Sequence, residues 1–272
     1  MNLRKIKNAL IRITSTIVVV LITIPLLWII FDVFIKGISV IGLEFLISLP
    51  APIGEGGGIA NAILGTLIIN AMACAIGLPL GIATGIYLSE YSNDSTFSTF
   101  IRTIIYTLSG VPSIILGLFA FALIVIRIGH YTAIAAAFAL SIIVIPIVAK
   151  ATEEGMRAVS IEIREGAFAL GLPKWIVVTK IILGVAKSSI ITSSLLAFAR
   201  ISGETAPLLF TALFSYYWPR GINEPMASLQ VLIYNYAMSG FEAWVIRAWG
   251  ASLLLLLLVL FINILVRRIS TR

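Results

Sequence analysis

Apolar residues along this chain fall into six long runs, which short polar or glycine-rich connections separate. A helix needs about 20 apolar residues to cross the hydrocarbon core of a membrane, and the runs are close to that length or longer. The pattern therefore predicts an all-α polytopic membrane protein with six transmembrane helices. The predicted spans are residues 13–35, 61–88, 104–127, 132–149, 188–213 and 245–266.

The first run could belong to a secretory signal peptide, because basic residues precede it. Its apolar part is longer than the roughly 7–15 residues that a signal peptide uses, and no A-x-A cleavage pattern follows. We therefore interpret residues 1–35 as an N-terminal anchor helix and residues 61–266 as the remaining transmembrane core.

The composition agrees with a single membrane domain. Hydrophobic residues make up 60% of the chain, charged residues 11%, and the mean hydropathy is +1.10. A soluble domain carries about 25% charged residues. The single cysteine, Cys74, excludes an intrachain disulfide. The net charge of +7 would suit nucleic acid, but in a membrane protein it more often reflects cytoplasmic loops, so no nucleic-acid partner is expected.

The basic residues predict the orientation. If the N-terminus is inside, four basic residues fall on the outer side and Arg200 lies within a span. Cytoplasmic loops of membrane proteins carry an excess of Lys and Arg, which predicts that both termini are cytoplasmic. The inner set is Arg4, Lys5, Lys7, Arg12, Arg102, Lys150, Arg157, Arg164, Lys174, Lys180, Lys187, Arg267, Arg268 and Arg272, and the outer set is Lys36, Arg127, Arg220 and Arg247.

Three connections are long enough to have a role of their own. The outer loop 36–60 is rich in glycine near its end, which indicates a loop that can be remodelled. The inner segment 150–187 is the only sizeable cytoplasmic region. The outer loop 214–244 predicts a short helix at the outer face, capped by Asn223 and ended by Gly240, although a plain connector remains an alternative.

Small residues and prolines mark several of the spans. Ala73, Gly77, Gly81 and Gly85 recur every four positions and predict close helix packing, either within the chain or between subunits. Prolines lie inside four consecutive predicted spans, where each would remove a backbone hydrogen bond and break the helix locally. These prolines are Pro79, Pro112, Pro146 and Pro207.

The sequence offers no catalytic or metal-binding constellation. The stretch IILGVAKSS lacks the first glycine and the glycine before lysine that a phosphate-binding P-loop requires. The single histidine, His130, lies at a predicted outer turn, which argues against a histidine-based metal site or a Ser-His triad. We therefore expect no cofactor, no metal and no enzyme activity.

The pattern of the inner segment predicts a helix that ends near Gly171, followed by a second helix. Its residues Glu165, Ala167, Gly171, Ile181 and Leu183 match the spacing of the cytoplasmic signature of ABC importer permeases, and the chain resembles that family. It departs from the signature at Gly166 and Gly184, where the family has alanine and proline. The resemblance implies a type I permease-like core and a coupling helix that docks on an ATPase subunit. The implied docking residues are Glu165, Gly166, Ala167, Phe168, Gly171 and Leu172.

The stretch ARISGETAPLLF, residues 199–210, places a charged pair at membrane depth. Arg200 and Glu204 are one helical turn apart and can pair. An isolated arginine at the centre of a span costs about 2.5–3.5 kcal/mol on insertion scales. A charged pair at this depth therefore indicates a functional or structural role. The stretch resembles span five of the phosphate-specific ABC permeases, and GETAPLLFTA is similar to their PstA branch. LSGVPSIILGLFAF and GGIANAILGTLIIN extend that resemblance over residues 55–215.

This resemblance implies a translocation path for a small oxyanion. Arg200 would supply the positive charge, Glu204 would hold it when no anion is present, and Gly203 and Pro207 would let the helix move. A buried ion pair that only fixes helix packing remains the alternative. The implied partners are a second permease of PstC type, two ATP-binding subunits, an external phosphate-binding protein, phosphate and membrane lipid, all at a prokaryotic plasma membrane.

Other functions remain open. A permease for another oxyanion or a phosphonate would have the same features, because an external protein usually sets selectivity. An ion-coupled secondary anion transporter would need titratable groups at depth, and only Glu204 qualifies clearly. A membrane enzyme that acts on lipid phosphate would want a cluster of His or Asp at one face, which the sequence lacks.

Overall fold

The structure is a computed structural model that describes residues 3–52, 54–92 and 95–270. Arg272, used above to predict orientation, lies outside the described residues, as do residues 1–2 of the predicted anchor and residue 53 of the predicted outer loop. The helices in chain order are α1 Leu3–Ile38, α2 Leu43–Ile47, α3 Ala60–Tyr91, α4 Thr96–Gly110, α5 Ser113–Ile128, α6 Ala133–Arg157, α7 Ile161–Ala169, α8 Lys174–Ile201, α9 Ala206–Thr211, α10 Leu229–Ala237 and α11 Glu242–Ser270.

The predicted all-α transmembrane architecture is confirmed. Over the described residues, five helices are long and apolar enough to cross a membrane, namely α1, α3, α6, α8 and α11. The helices α4 and α5 together form a sixth, broken span that bends by 105°. Most of α1 carries exposed apolar side chains, which lipid can cover. Its C-terminal end packs on α11, where Lys36 Nζ lies 4.6 Å from the centre of the Trp249 ring.

The predicted local breaks are confirmed near Pro112 and Pro207, whereas Pro79 and Pro146 lie inside unbroken helices. The span 104–127 divides because α4 ends at Gly110 and α5 begins at Ser113, with Val111 extended before Pro112. A residue before proline avoids the helical region, which accounts for this break. The span 188–213 ends early, since α8 stops at Ile201 and α9 begins at Ala206. Apolar composition continues across both breaks, so hydropathy alone does not detect them.

The small-residue stripe of α3 packs within the chain, which is one of the two alternatives that the sequence allowed. A Cβ atom placed on Gly77 would lie 2.7 Å from Val144 Cβ, and one on Gly85 would lie 2.5 Å from Thr152 Cβ. Gly81 meets Val148 in the same way. Both helices therefore repeat their contact every four residues, and α6 becomes the central buried helix of the bundle.

The outer loop 214–244 does contain the predicted helix, but its start and its depth differ from the prediction. The helix α10 begins at Leu229 with Ser228 as its cap, not at Asn223. Leu229, Val231 and Leu232 are buried in the bundle, so α10 does not lie on the outer face. The segment before it also caps α6: the N–H groups of residues 133 and 134 donate to the carbonyls of Glu224 and Ile222 at 3.1 Å.

The inner connection is shorter than the predicted 150–187. The helix α6 continues to Arg157 and α8 begins at Lys174, so only residues 158–173 connect them. The predicted helix, stop and second helix are confirmed as α7, Gly171 and α8. Gly171 has φ +75°, a left-handed conformation that favours glycine after a helix.

Candidate functional site

Arg200 lies where two interrupted spans meet. It occupies the last turn of α8 and lines a cavity of about 100 Å³ beside the break between α4 and α5. Its side chain is 60% exposed in the isolated chain. Among the described residues that line this cavity, Arg200 alone carries a charge. The lining residues are Leu108, Ser109, Val111, Ser113, Leu116, Ile143, Pro146, Ile147 and Arg200.

Glu204 stands near Arg200 but does not share a helical face with it. The separation of Arg200 Nε and Glu204 Oε1 is 3.9 Å, which is too long for a hydrogen bond. The two side chains form the expected ion pair, but the helix ends at Ile201, so Glu204 follows the end of α8 and the pair does not lie along one helix. Glu204 is only 18% exposed. The arrangement leaves the guanidinium able to bind another anion.

The proposed roles of Gly203 and Pro207 depended on a continuous helix, which is absent. Residues 203–207 do not lie in one helix, so Pro207 does not free the carbonyl of Gly203 by breaking a helical hydrogen bond. Pro207 instead stands in the first turn of α9, where proline is tolerated. A Cβ atom on Gly117 would lie 2.6 Å from Pro207 Cα, so α9 and α5 pack at backbone contact.

Polar side chains that sequence reasoning missed hold the turn after Arg200. Asn70 Nδ2 donates to Ser202 Oγ at 2.9 Å, and Gln230 Nε2 donates to the Ser202 carbonyl. All three residues are at most 2% exposed. Asn70 and Gln230 come from α3 and α10, so distant parts of the chain set the position of Arg200. The signal in the sequence for these contacts is that Asn70 and Gln230 are polar residues within apolar runs.

This geometry suits a small oxyanion. A guanidinium offers a planar set of donors that matches carboxylate and phosphate oxygens. Ser109 and Ser113 belong to the same lining, and the Ser109 hydroxyl donates to the Ile105 carbonyl at 2.9 Å. The cavity lies at two helix interruptions, and irregular backbone at membrane depth is tolerated where it lines a cavity. The lining therefore combines one positive charge with two hydroxyl-bearing residues.

The predicted coupling residues lie at the other end of α8, on and after α7. Ala167 is buried, whereas Glu165, Gly166 and Phe168 are exposed. Ile161, Phe168 and Leu170 expose 60%, 47% and 78% of their surface, an apolar patch outside the spans. The backbone N–H of Glu162 and the Ser160 side chain hold the pKa of the Glu162 carboxyl below its usual value.

No metal centre is present in the part of the chain that the structure describes. No group of three or more His, Cys, Asp or Glu side chains converges there. Cys74 is buried, and His130 is exposed at the end of α5.

A family model matches residues 77–272, and its description is "Binding-protein-dependent transport system inner membrane component". The chain is 42% identical over 265 residues to the "Phosphate transport system permease protein PstA" of Pasteurella multocida, covering 97% of this chain and 94% of the relative. It is 43% identical over 265 residues to the protein of the same description from Haemophilus influenzae, with the same coverage.

Solved structures share the fold at low sequence identity. A structure titled "Inward facing conformations of the MetNI methionine ABC transporter" matches with a TM-score of 0.62 at 19% identity, over 79% of this chain and 93% of that chain. A bacterial alginate ABC transporter in complex with its pentasaccharide-bound periplasmic protein matches with a TM-score of 0.63 at 16% identity, over 97% and 96%. The helices and their order are therefore those of ABC importer permeases.

Proposed function

We propose, from the premise that the chain belongs to the family of binding-protein-dependent transport system inner membrane components, that it carries inorganic phosphate across the membrane as a permease subunit of an ABC importer. The chain is a multi-pass membrane protein and a transport component, not an enzyme. The observation that carries the proposal is Arg200, the charged lining residue of a cavity at two interrupted spans, in a chain about 42% identical to a phosphate permease.

In this proposal, Arg200 contacts the phosphate during its passage. Glu204 lies within 4 Å, so it weakens the site and promotes release. Gly203 belongs to the unwound segment between α8 and α9, and Pro207 holds that segment against α5. Because neither Gly203 nor Pro207 acts through a helix kink, movement would occur at the two breaks.

The chain works in a complex with other ABC transporter components. We propose that these are a second permease of PstC type, two ATP-binding subunits and an external phosphate-binding protein. The chain would then divide into the anchor 1–35, the outer loop 36–60 and the core 61–266, in which the coupling segment docks on an ATPase subunit. We propose, from the distribution of the basic residues, that both termini are cytoplasmic, which a topology reporter fused to the N-terminus would test.

The apolar patch of α7 makes the docking testable. We expect Phe168→Asp to reduce co-purification of the ATP-binding subunit by about tenfold, because a buried, unpaired carboxylate is costly in an apolar interface. The matched control is Phe100→Asp, which changes an exposed phenylalanine of α4, outside the coupling segment. Equal recovery of the ATP-binding subunit with Phe168→Asp and with the unaltered chain would contradict docking at this patch.

Uptake of labelled phosphate at low concentration tests the proposed function. We expect uptake by phosphate-starved cells to require this chain and to survive an uncoupler that spares ATP, because ATP and not the proton gradient would drive transport. Chain-dependent uptake that the uncoupler abolishes would instead favour an ion-coupled transporter, with Glu204 as the titrating group. Uptake independent of the chain would exclude phosphate, and other oxyanions would be tested.

A further inference from the structure

The inner end of α3 forms a π-helical turn, Tyr87–Tyr91, on which three arginines from other helices converge. π-helical turns are uncommon in proteins, and those that occur are often found at functional sites. The carbonyl of Leu88 accepts hydrogen bonds from Arg102 of α4 at 3.2 Å and from Arg157 of α6 at 3.4 Å. The third arginine, Arg164, belongs to α7 and binds Glu90.

The pair formed by Arg164 and Glu90 is largely buried and has favourable geometry. Arg164 Nη1 lies 2.9 Å and 2.8 Å from the two carboxylate oxygens of Glu90. The side chains are 19% and 6% exposed. Ser89 Oγ also donates to Glu90 Oε1 at 2.8 Å, so the carboxylate is held from two sides.

Arg164 also binds the inner end of α6. Its Nη2 donates to the Met156 carbonyl at 2.6 Å, and its Nε donates to the Val159 carbonyl at 3.3 Å. One guanidinium therefore joins α7 to the ends of both α3 and α6. An arginine can hold three acceptors at once because its donors form a rigid planar fork.

Apolar packing attaches α7 only weakly to the bundle. Of its nine residues, Ala167 is the one that is buried. The remaining apolar side chains of α7 are exposed. A Cβ atom placed on Gly166 would have no neighbouring atom within 4 Å. Ala167 shares one apolar cluster with Met156 and Val159 at the end of α6, whereas the contact of α7 with α3 depends on Arg164.

A second ion-pair cluster extends the junction to α4. Glu153 Oε1 lies 3.0 Å from Arg102 Nη2 and 3.1 Å from Arg157 Nη2, and its side chain is 13% exposed. The same two arginines bind the Leu88 carbonyl. The π turn thus contacts α4, α6 and α7 through charged groups at one place, while the opposite end of α4 borders the Arg200 cavity.

We infer that Arg164 and Glu90 are positioning residues that transmit the movement of α7 to the spans bordering the Arg200 cavity. This inference rests on the proposed function, in which ATP-binding subunits move α7. The ion pair makes α7 and the inner ends of α3 and α6 move as one unit. Without it, α7 moves with the ATPase while the spans do not follow, and ATP hydrolysis no longer drives transport.

The test uses the complete transporter in liposomes, with its ATP-binding subunits, the second permease and the external binding protein. The readouts are phosphate transported per ATP hydrolysed, stimulation of hydrolysis by the binding protein, and co-purification of the subunits. We expect Glu90→Gln to lower the ratio of phosphate transported to ATP hydrolysed by about tenfold, because the ion pair with Arg164 is lost. The control Lys150→Gln removes an exposed charge on α6, outside the junction, and leaves the ratio unchanged.

The double variant Glu90→Gln with Arg164→Gln separates transmission from folding. Glu90→Gln leaves the charge of Arg164 unpaired, whereas the double variant leaves no unpaired buried charge. We therefore expect the double variant to assemble normally while its ratio of phosphate transported to ATP hydrolysed stays low. A double variant that transports at the normal ratio would overturn the inference, and so would variants that all fail to assemble, because the pair would then be structural.

The proposed function can fail separately. An unaltered complex that hydrolyses ATP but moves no phosphate would refute phosphate as the substrate, not the junction. In that case, loss of binding-protein stimulation in Glu90→Gln and in the double variant, but not in Lys150→Gln, still supports the junction. Stimulation that remains normal in both variants overturns it.

Discussion

We expect Arg200→Ala to lower phosphate uptake by about ten- to one hundred-fold, because a hydrogen bond to a charged group contributes about 1.5–3 kcal/mol. The side chain is 60% exposed in the isolated chain and stands 3.9 Å from its nearest acidic partner, so the fold depends on it little. Uptake of labelled phosphate at low concentration, together with co-purification of the complex, measures transport and assembly separately.

Arg200→Lys distinguishes the charge from the donor geometry. Lysine keeps the positive charge but loses the planar fork, so we expect an uptake between those of the alanine variant and the unaltered chain. The matched control is Arg127→Ala at the far end of α5, which should transport normally if Arg200 acts through the cavity. If the alanine and lysine variants of Arg200 both assemble and transport at the normal rate, Arg200 has no role in the path.

We expect Gly65→Ala to destabilise the protein by about 1–3 kcal/mol or more, the range for an overpacked core. A Cβ atom at Gly65 would lie 1.9 Å from the Ala227 carbonyl oxygen, and the contact is with backbone that cannot rotate away. Separating α3 from the segment before α10 would also break the hydrogen bond from the Leu229 N–H to Thr66 Oγ1. Thermal unfolding of the purified protein in detergent measures the loss.

The control for this substitution is Gly184→Ala. Gly184 lies within α8, and a Cβ atom there would meet nothing within 4 Å. Alanine in a helix interior is more favourable than glycine by roughly 0.5–1 kcal/mol, so this variant should unfold at the same or a higher temperature. Equal unfolding temperatures for Gly65→Ala and the unaltered chain would show that α3 is not in backbone contact with the segment before α10.

Local patterns predicted the features that depend on neighbours along the chain. The repeat from Ala73 to Gly85 predicted a close helix contact, because residues four apart share one face of a helix. Gly171 predicted the end of α7, because it is the residue that most readily adopts the left-handed conformation. The six apolar runs predicted the spans by length alone.

Breaks within apolar sequence were harder to predict. Pro112 and Pro207 both suggested distortion, yet Pro79 and Pro146 lie inside continuous helices. A proline therefore marks a position where a break is tolerated and does not decide whether it occurs. The neighbouring helices decide it, since they supply hydrogen-bond partners or packing to the interrupted backbone.

Sequence by itself determined that this chain is a helical membrane protein with six apolar runs, no recognisable catalytic motif, and a charged residue at depth. Only the tertiary structure decided that Arg200 borders a broken span, that Gln230 and Asn70 hold the turn beside it, and that Arg164 reaches Glu90. Those partners are separated by 28, 132 and 74 residues along the chain. Hydropathy and local propensity depend on short windows, whereas contacts at such separations exist only after the helices have packed.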